Sequence, residues 1–303
     1  MAATDPNVPP EAQESDIKVK GKGFFGPSGK FGTKKNQGLF NVGATSIGKF
    51  VEANANLFSG LSPSLTRVMR AVSENEGMLE AVNSYDNAFM SFGPFQWTVG
   101  VDSAAGELAD LLDRLKTSKP AAFSEYFGRN GLGIKIGPPK PGALRTGFLV
   151  LDGQALNTPT RKSVLRKPIW GYRFWRAGHD TDVRACEIEQ AMARIDVFYR
   201  GARSALGRKA VSDFITSEFG VALLLDQHVN RPGHVPKTLV TAIKSFGKKD
   251  PASWTSADER KVLALYITER AKTSMTNSTK RANSIKKAVT AGELSDERGS
   301  FKA

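Results

Sequence analysis

Cysteine is nearly absent from this chain. Cys186 is its single copy in 303 residues, so neither an internal disulfide nor a multi-cysteine zinc site is available. Its setting, VRACEIEQAM, has helical spacing and marks it as a core thiol. Histidine is scarce too: His179, His228 and His234 are too scattered to spell a ligand motif, and no metal or other cofactor is expected. No apolar run approaches the roughly 20 residues that cross a bilayer, so no membrane span is expected. The first residues, MAATDPNVPPEAQESD, lack both a basic n-region and an apolar h-region; synthesis in the cytoplasm without Sec export is the expectation. A Walker loop and an H-E-x-x-H motif are missing, and GRNGLG at 128–133 has no strand before it and no helix after it. These absences set aside nucleotide-dependent enzymes and zincins.

What the chain has in excess is positive charge. Lys and Arg number 43 against 30 Asp and Glu, a net charge of +13, which calls for an anionic partner. Nucleic acid, a membrane surface and an anionic cell wall all satisfy that requirement. No helix-turn-helix, RNP-like or zinc-finger pattern supports the first, so nucleic acid stays an open but less favoured partner. With 40% hydrophobic residues the chain can bury a large core.

The chemistry concentrates in residues 62–97, SPSLTRVMRAVSENEGMLEAVNSYDNAFMSFGPFQW. Pro63 and Ser64 are helix-start signals, and Leu65, Val68, Met69 and Val72 recur at helical spacing. At about 100° per residue, Glu76 falls within roughly 20° of Leu65, on the apolar face, with Gly77 ending the helix after it. A carboxyl at the lip of a core is partly desolvated and keeps its proton, as a general acid must. Asp86 follows Asn83, Ser84 and Tyr85 in a polar turn where a carboxylate stays ionised. Two carboxyls in unlike surroundings suit glycoside hydrolysis, one protonating the leaving group and the other orienting water or stabilising the oxocarbenium-like transition state.

The order Glu76-Gly77, then Asp86, then Ser91-Phe92-Gly93 resembles the phage-type lysozymes, and more loosely the wider lysozyme-like superfamily with its lytic transglycosylases and chitosanases. The resemblance implies Glu76 as the acid, Asp86 as second carboxylate with a one-residue offset, and Ser91 at the place of the family's water-holding Thr. Gly93-Pro94-Phe95-Gln96 is similar to the Gly-x-x-Gln of lytic transglycosylases, which implies that Gln96 lines the sugar cleft. Tyr85 and Trp97 beside these positions are candidate substrate contacts.

Elsewhere the sequence reads more coarsely. Residues 1–55 are expected to form a disordered or extended basic arm, its Lys-Gly-Phe segment from Ile17 to Gly43 either contacting a polyanion or serving as a flexible linker. A short helix is expected over 47–61 and another over 103–117 with Ser103 as a possible cap. A β excursion is expected at about 130–160, with an Asp152-Gly153 turn. Residues 166–180, RKPIWGYRFWRAGHD, interleave aromatics with arginines; Trp170 and Arg173 are candidate sugar contacts, although such dense aromatics also fit a core. A long helix from Thr181, a buried central helix ending near Asn230, a short basic helix at 235–250 and a helix opening at Ser256 with a Ser256/Glu259 capping box follow. Asp226, Gln227 and His228 read as structural or capping groups. Residues 273–303 are expected as a basic tail.

The expected architecture is therefore α+β and predominantly helical: a lysozyme-like catalytic domain over 56–272, a small β-hairpin insertion and extended basic termini. The expected activity is cleavage of β-1,4 links in peptidoglycan by a phage- or contractile-injection-associated muramidase acting at the bacterial wall, docked to tail or particle proteins through its basic arm. A lytic transglycosylase using Glu76 alone, chitosan as a further substrate, and a non-catalytic basic structural or nucleic-acid-binding particle protein remain open.

Overall fold

A computed structural model describes residues 5–75, 77–139, 143–248 and 250–302. The chain is α+β, with eleven α-helices and two sheets among the described residues. In chain order the helices are α1 (Ile47–Ala53), α2 (Pro63–Ser73), α3 (Leu108–Ser118), α4 (Pro120–Tyr126), α5 (Pro159–Lys162), α6 (Pro168–Ala177), α7 (Thr181–Ile195), α8 (Glu218–Asn230), α9 (Val235–Phe246), α10 (Ser256–Ala271) and α11 (Ser278–Thr290). None is long and apolar enough to cross a membrane. Two compact units share the chain: one runs to Ser46 and resumes after Asn75 as far as Ala191, and the other is Ile47–Asn75 with the residues from Met192 onward.

The first unit contains both sheets. Strands β1 (Lys18–Lys20), β2 (Gly23–Gly26), β3 (Gly29–Lys35), β4 (Gly38–Asn41), β5 (Val82–Asn83), β6 (Ser91–Phe92) and β7 (Trp97–Thr98) form one antiparallel meander in sequence order. Residues 18–41, expected within an extended arm, are thus four strands of a sheet. Two-residue turns at Gly21-Lys22 and Asn36-Gln37 reverse the chain, and Gly21 and Asn36 take the positive φ values of +56° and +47° that such turns require. Phe24, Phe31 and Leu39 are buried while the lysines stay outside, an alternation hidden in the sequence by glycines and by a bulge between Phe24 and Phe25. Helix α6 covers the buried side: the Phe31 ring lies 5.0 Å from Tyr172 and 5.9 Å from Trp175, and Phe92 lies 5.3 Å from Phe174. Residues 9–12 are also fixed, since Tyr172 and Arg176 donate to the carbonyls of Pro10 and Pro9 at 2.7 Å and Ala12 is buried.

The β excursion forms as expected. Strands β8 (Leu132–Ile136), β9 (Gly147–Leu151) and β10 (Gln154–Ala155) make a second sheet in the order β10-β9-β8, against α3. Asp152 and Gly153, with φ of +49° and +81°, make its two-residue turn. Helix α3 starts at Leu108, later than Ser103 would place it.

The second unit is helical. Helix α2 starts at Pro63, as its start signals predict, and Ser62 caps it, its hydroxyl accepting the Leu65 amide at 3.0 Å. Leu65, Val68, Met69 and Val72 are buried, and α2 packs on α8. The helix stops at Ser73 with Glu74 as its C-cap, so the helical phase that turned position 76 inward does not extend that far; Glu76 itself lies outside the described residues. The helix expected over 47–61 divides into α1 and a 3₁₀ turn at Ala55–Phe58, and α7 gives way to a π-helical turn at Asp196–Arg200. Thr255, rather than Ser256, caps α10, in a box with Asp258. Glu259 is thereby freed for a buried role, accepting the Thr216 and Ser217 amides at 3.0 and 2.8 Å and pairing with Arg298 at 2.5 Å. The expected tail instead holds α11, packed on α8, α10 and α2, because Ala282, Ile285 and Ala288 give it an apolar stripe.

At the centre of this unit Asp226, fully buried near the end of α8, pairs with Arg270 at 3.0 Å and Arg281 at 2.6 Å. Removing one partner from such a cluster leaves buried charge uncompensated, at a cost of about 3–5 kcal/mol. Asp226→Ala is expected to lower unfolding free energy by that amount in urea titration; a loss under about 1 kcal/mol would show that the arginines find other partners.

Candidate active site

The site builds outward from the turn between β5 and β6. Asn83, at the end of β5, accepts the Tyr85 amide at 3.1 Å and donates its own side-chain amide to Asp86 Oδ2 at 2.8 Å. Asp86 Oδ1 accepts the Ala88 amide at 3.0 Å. Two interlocked Asx turns thus present a half-buried carboxylate, the geometry that Asn and Asp side chains favour in turns. Phe89 closes the turn at φ +61°, a conformation that costs a side-chain-bearing residue about 1–2 kcal/mol.

Other elements hold this strained loop. The Ser84 amide and hydroxyl bond to the Leu39 carbonyl and amide at 2.8 and 3.0 Å, joining the turn to β4. The Arg166 guanidinium donates to the carbonyls of Ser84 and Asp86 at 2.9 and 2.7 Å and lies 4.6 Å over the Phe89 ring. Tyr85 meets Phe40 edge-on at 5.9 Å, with the Lys35 ammonium 4.1 Å above the tyrosine ring.

The β6–β7 turn stands at the other end of the two-residue strand β6 from this loop. Ser91 pairs with Asn83 on one side and Thr98 on the other, and is buried. Gln96 has φ +49°, and its side-chain amide donates to the Gly93 carbonyl at 2.9 Å. The Gly93 amide in turn bonds to Ala81 O at 2.9 Å, and a Cβ added to Gly77 would come within 3.3 Å of Gln96 Nε2. Tyr85, Asp86 and Ser91 therefore stand at one end of the two-residue strand β6, and Gln96 and Gly77 at its other end. Trp97 and Trp170 do not offer ring faces to solvent: they are 1% and 3% exposed. Trp97 packs against Phe95, and Trp170 carries the Arg173 guanidinium stacked at 4.5 Å. Burial lowers the Arg173 pKa.

Near the β6–β7 turn lies a pair of acids that the sequence reading passed over. Glu80 is buried; desolvation pushes its pKa up, but the Ala44 and Thr45 amides at 2.9 and 3.0 Å, the Thr45 hydroxyl and the Arg184 guanidinium outweigh it and leave the carboxyl below its usual range. Glu187, one turn beyond Arg184 on α7, is fully buried and neither carboxyl oxygen has a hydrogen-bond partner among the described residues. Desolvation, with repulsion from Glu80, raises its pKa well above the usual value despite Arg184. It faces the β6–β7 turn from below: Gly93, at φ +76°, has no room for a Cβ, which would fall 2.4 Å from Glu187 Oε1 and 2.7 Å from the Trp97 ring. The signal for Glu187 was its phase, since it shares the buried side of α7 with Val183 and Gln190. Among the described residues no cluster of His, Cys, Asp and Glu could hold a metal ion.

Comparison with protein-family models, with curated proteins and with solved structures found no match to this chain.

A carboxyl whose folded pKa is raised binds its proton more tightly folded than unfolded, so stability falls as pH climbs above the usual Glu value of 4.5 and levels off only above the folded pKa. Glu187→Gln keeps the neutral shape and removes this linkage. In urea titrations from pH 4 upward, wild type is expected to lose stability relative to Glu187→Gln as pH rises; parallel profiles would mean an ionised Glu187.

Proposed function

We propose that the chain is a lysozyme-like glycosidase that cleaves the β-1,4 links of peptidoglycan, with Glu76 as general acid and Asp86 as second carboxylate. The observation that carries this reading is the half-buried Asp86 beside Ser91 at one end of the two-residue strand β6, with Gln96 and Gly77, the residue next to Glu76, at the other end of that short strand. Glycoside cleavage needs one carboxyl to give a proton to the departing oxygen while another steadies the positive charge at the anomeric carbon or orients water. Asp86 suits the second task, because the Asn83 and Ala88 donors fix its carboxylate without burying it fully. The Gln96 amide, held by Gly93, and the Tyr85 ring supply a polar and a stacking contact for sugar. The net charge of +13 favours approach to an anionic wall, and delivery by a virion or an injection particle fits an activity exerted on the wall.

The test is release of soluble muropeptides from purified sacculi, followed by turbidity and mass. Glu76→Gln is expected to lower the rate by about 10²–10⁴-fold, the usual contribution of a general acid, and Asp86→Asn to lower it in the same direction. Glu74→Gln, an exposed change on the C-cap of α2, leaves the rate unchanged. Anhydro-sugar ends retained in Asp86→Asn would assign transglycosylase chemistry to Glu76 alone. A well-folded wild type that releases nothing would overturn the glycosidase reading.

A further inference from the structure

The register of the seven-stranded sheet links the candidate site to a surface that the motif does not include. Residues paired across antiparallel strands lie on the same face. Lys20 pairs with Gly23, Gly23 with Thr33, Thr33 with Phe40, Phe40 with Asn83, and Asn83 with Ser91. One row thus crosses from the β1 edge to the Asp86 turn. At about 4.8 Å per strand, the part from Lys20 to Asn83 spans roughly 19 Å, the length of several sugar rings. On one side of this row, two residues along β1 and β2, Lys18 pairs with Phe25, which pairs across the bulge with Lys30; on the other side, two residues along β3 and β4, Lys35 pairs with Gly38.

This face is basic and aromatic together. Between Ile17 and Ser46 there are six lysines and no acidic residue, and none of the six forms an ion pair among the described residues. Lys18, Lys20, Lys30 and Lys35 are exposed, and so is Phe40, 39% open to solvent. The Lys20 ammonium lies 5.7 Å from the Phe25 ring, and Lys35 sits 5.1 and 4.1 Å from the Phe40 and Tyr85 rings. A core-facing role does not account for the pattern, because α6 covers the opposite face through Phe31 and Leu39.

We infer that the open face of β1–β4 is a binding surface for the acidic glycan strand itself, running from the Lys18–Lys20 edge to Asp86. The inference rests on the glycosidase reading for the identity of the occupant. Unpaired lysines beside flat rings suit a polymer that alternates sugar faces, which stack on aromatics, with the carboxylates of its peptide stems, which need cations. Continuity with the Asp86 turn makes the strand that is cut also the strand that is held. The surface contributes affinity and placement, and no bond is broken on it.

The test is cosedimentation of the full chain with purified sacculi at low and at high salt, on ice, where binding is read without cleavage. The triple variant Lys18→Ala, Lys20→Ala, Lys35→Ala removes exposed side chains, and its thermal unfolding checks that the sheet is intact. Binding is expected to fall about tenfold in the variant at low salt, and to fall alike for wild type when the stem carboxylates are amidated with carbodiimide and ammonia. Equal binding by wild type and variant, or binding indifferent to amidation, overturns the inference. So does lysine-dependent retention on double-stranded DNA with no retention on sacculi, which would make the face a nucleic-acid surface. Failure of muropeptide release with lysine-dependent binding intact would sink the glycosidase reading alone.

Discussion

Glu80 is buried and yet ionised, because four groups converge on its carboxylate: the amides of Ala44 and Thr45, the Thr45 hydroxyl and the Arg184 guanidinium. These come from segments far apart in sequence. The residues after β4, the approach to β5 and helix α7 are thereby held to one point. Arg184 also reaches the Gly178 carbonyl at 2.6 Å, at the end of α6, so the helix that underlies the sheet is tied to the same carboxylate. A buried ion left without these partners would be strongly unfavourable, which makes the arrangement close to all-or-none. Burial and repulsion from Glu80 push the neighbouring Glu187 carboxyl well above its usual pKa, which disfavours a second negative charge beside the first.

From that point the candidate site follows mechanically. Strands β5, β6 and β7 have two residues each and could not stand alone as a sheet. They form because β1–β4 offer a paired edge at Phe40 and Asn41, and because Phe92 and Trp97 bury their rings on the far side. Gly93 and Gln96 can then occupy left-handed conformations over Glu187, and the Asn83–Ala88 turn can hold Asp86 half-exposed. The lysine-rich N-terminal segment is therefore part of the scaffold of the candidate site, and its basic face is a consequence of placing Phe24, Phe31 and Leu39 inward.

The second unit uses the same device in a helical setting. Asp226 between Arg270 and Arg281, and Glu259 between the Ser217 amide and Arg298, each join helices or connections that apolar packing alone would leave free to slide. Such clusters specify one arrangement, because a slipped register would leave an ion unpaired.

The sequence by itself determined the elements whose causes are local. Apolar spacing set α2, α8 and α10, the Asp152-Gly153 pair set its hairpin, and Asn83 with Asp86 set a polar turn. It also determined the α+β class. Only the tertiary structure decided that residues 18–41 are strands, that Trp97 and Trp170 face inward, that Glu259 leaves its helix cap for the interior, and that Glu187 is buried under Gly93. Each of these depends on partners brought from distant segments. A lysine-glycine-phenylalanine segment has no period of its own until a neighbouring strand and a helix beneath it decide which side is dry.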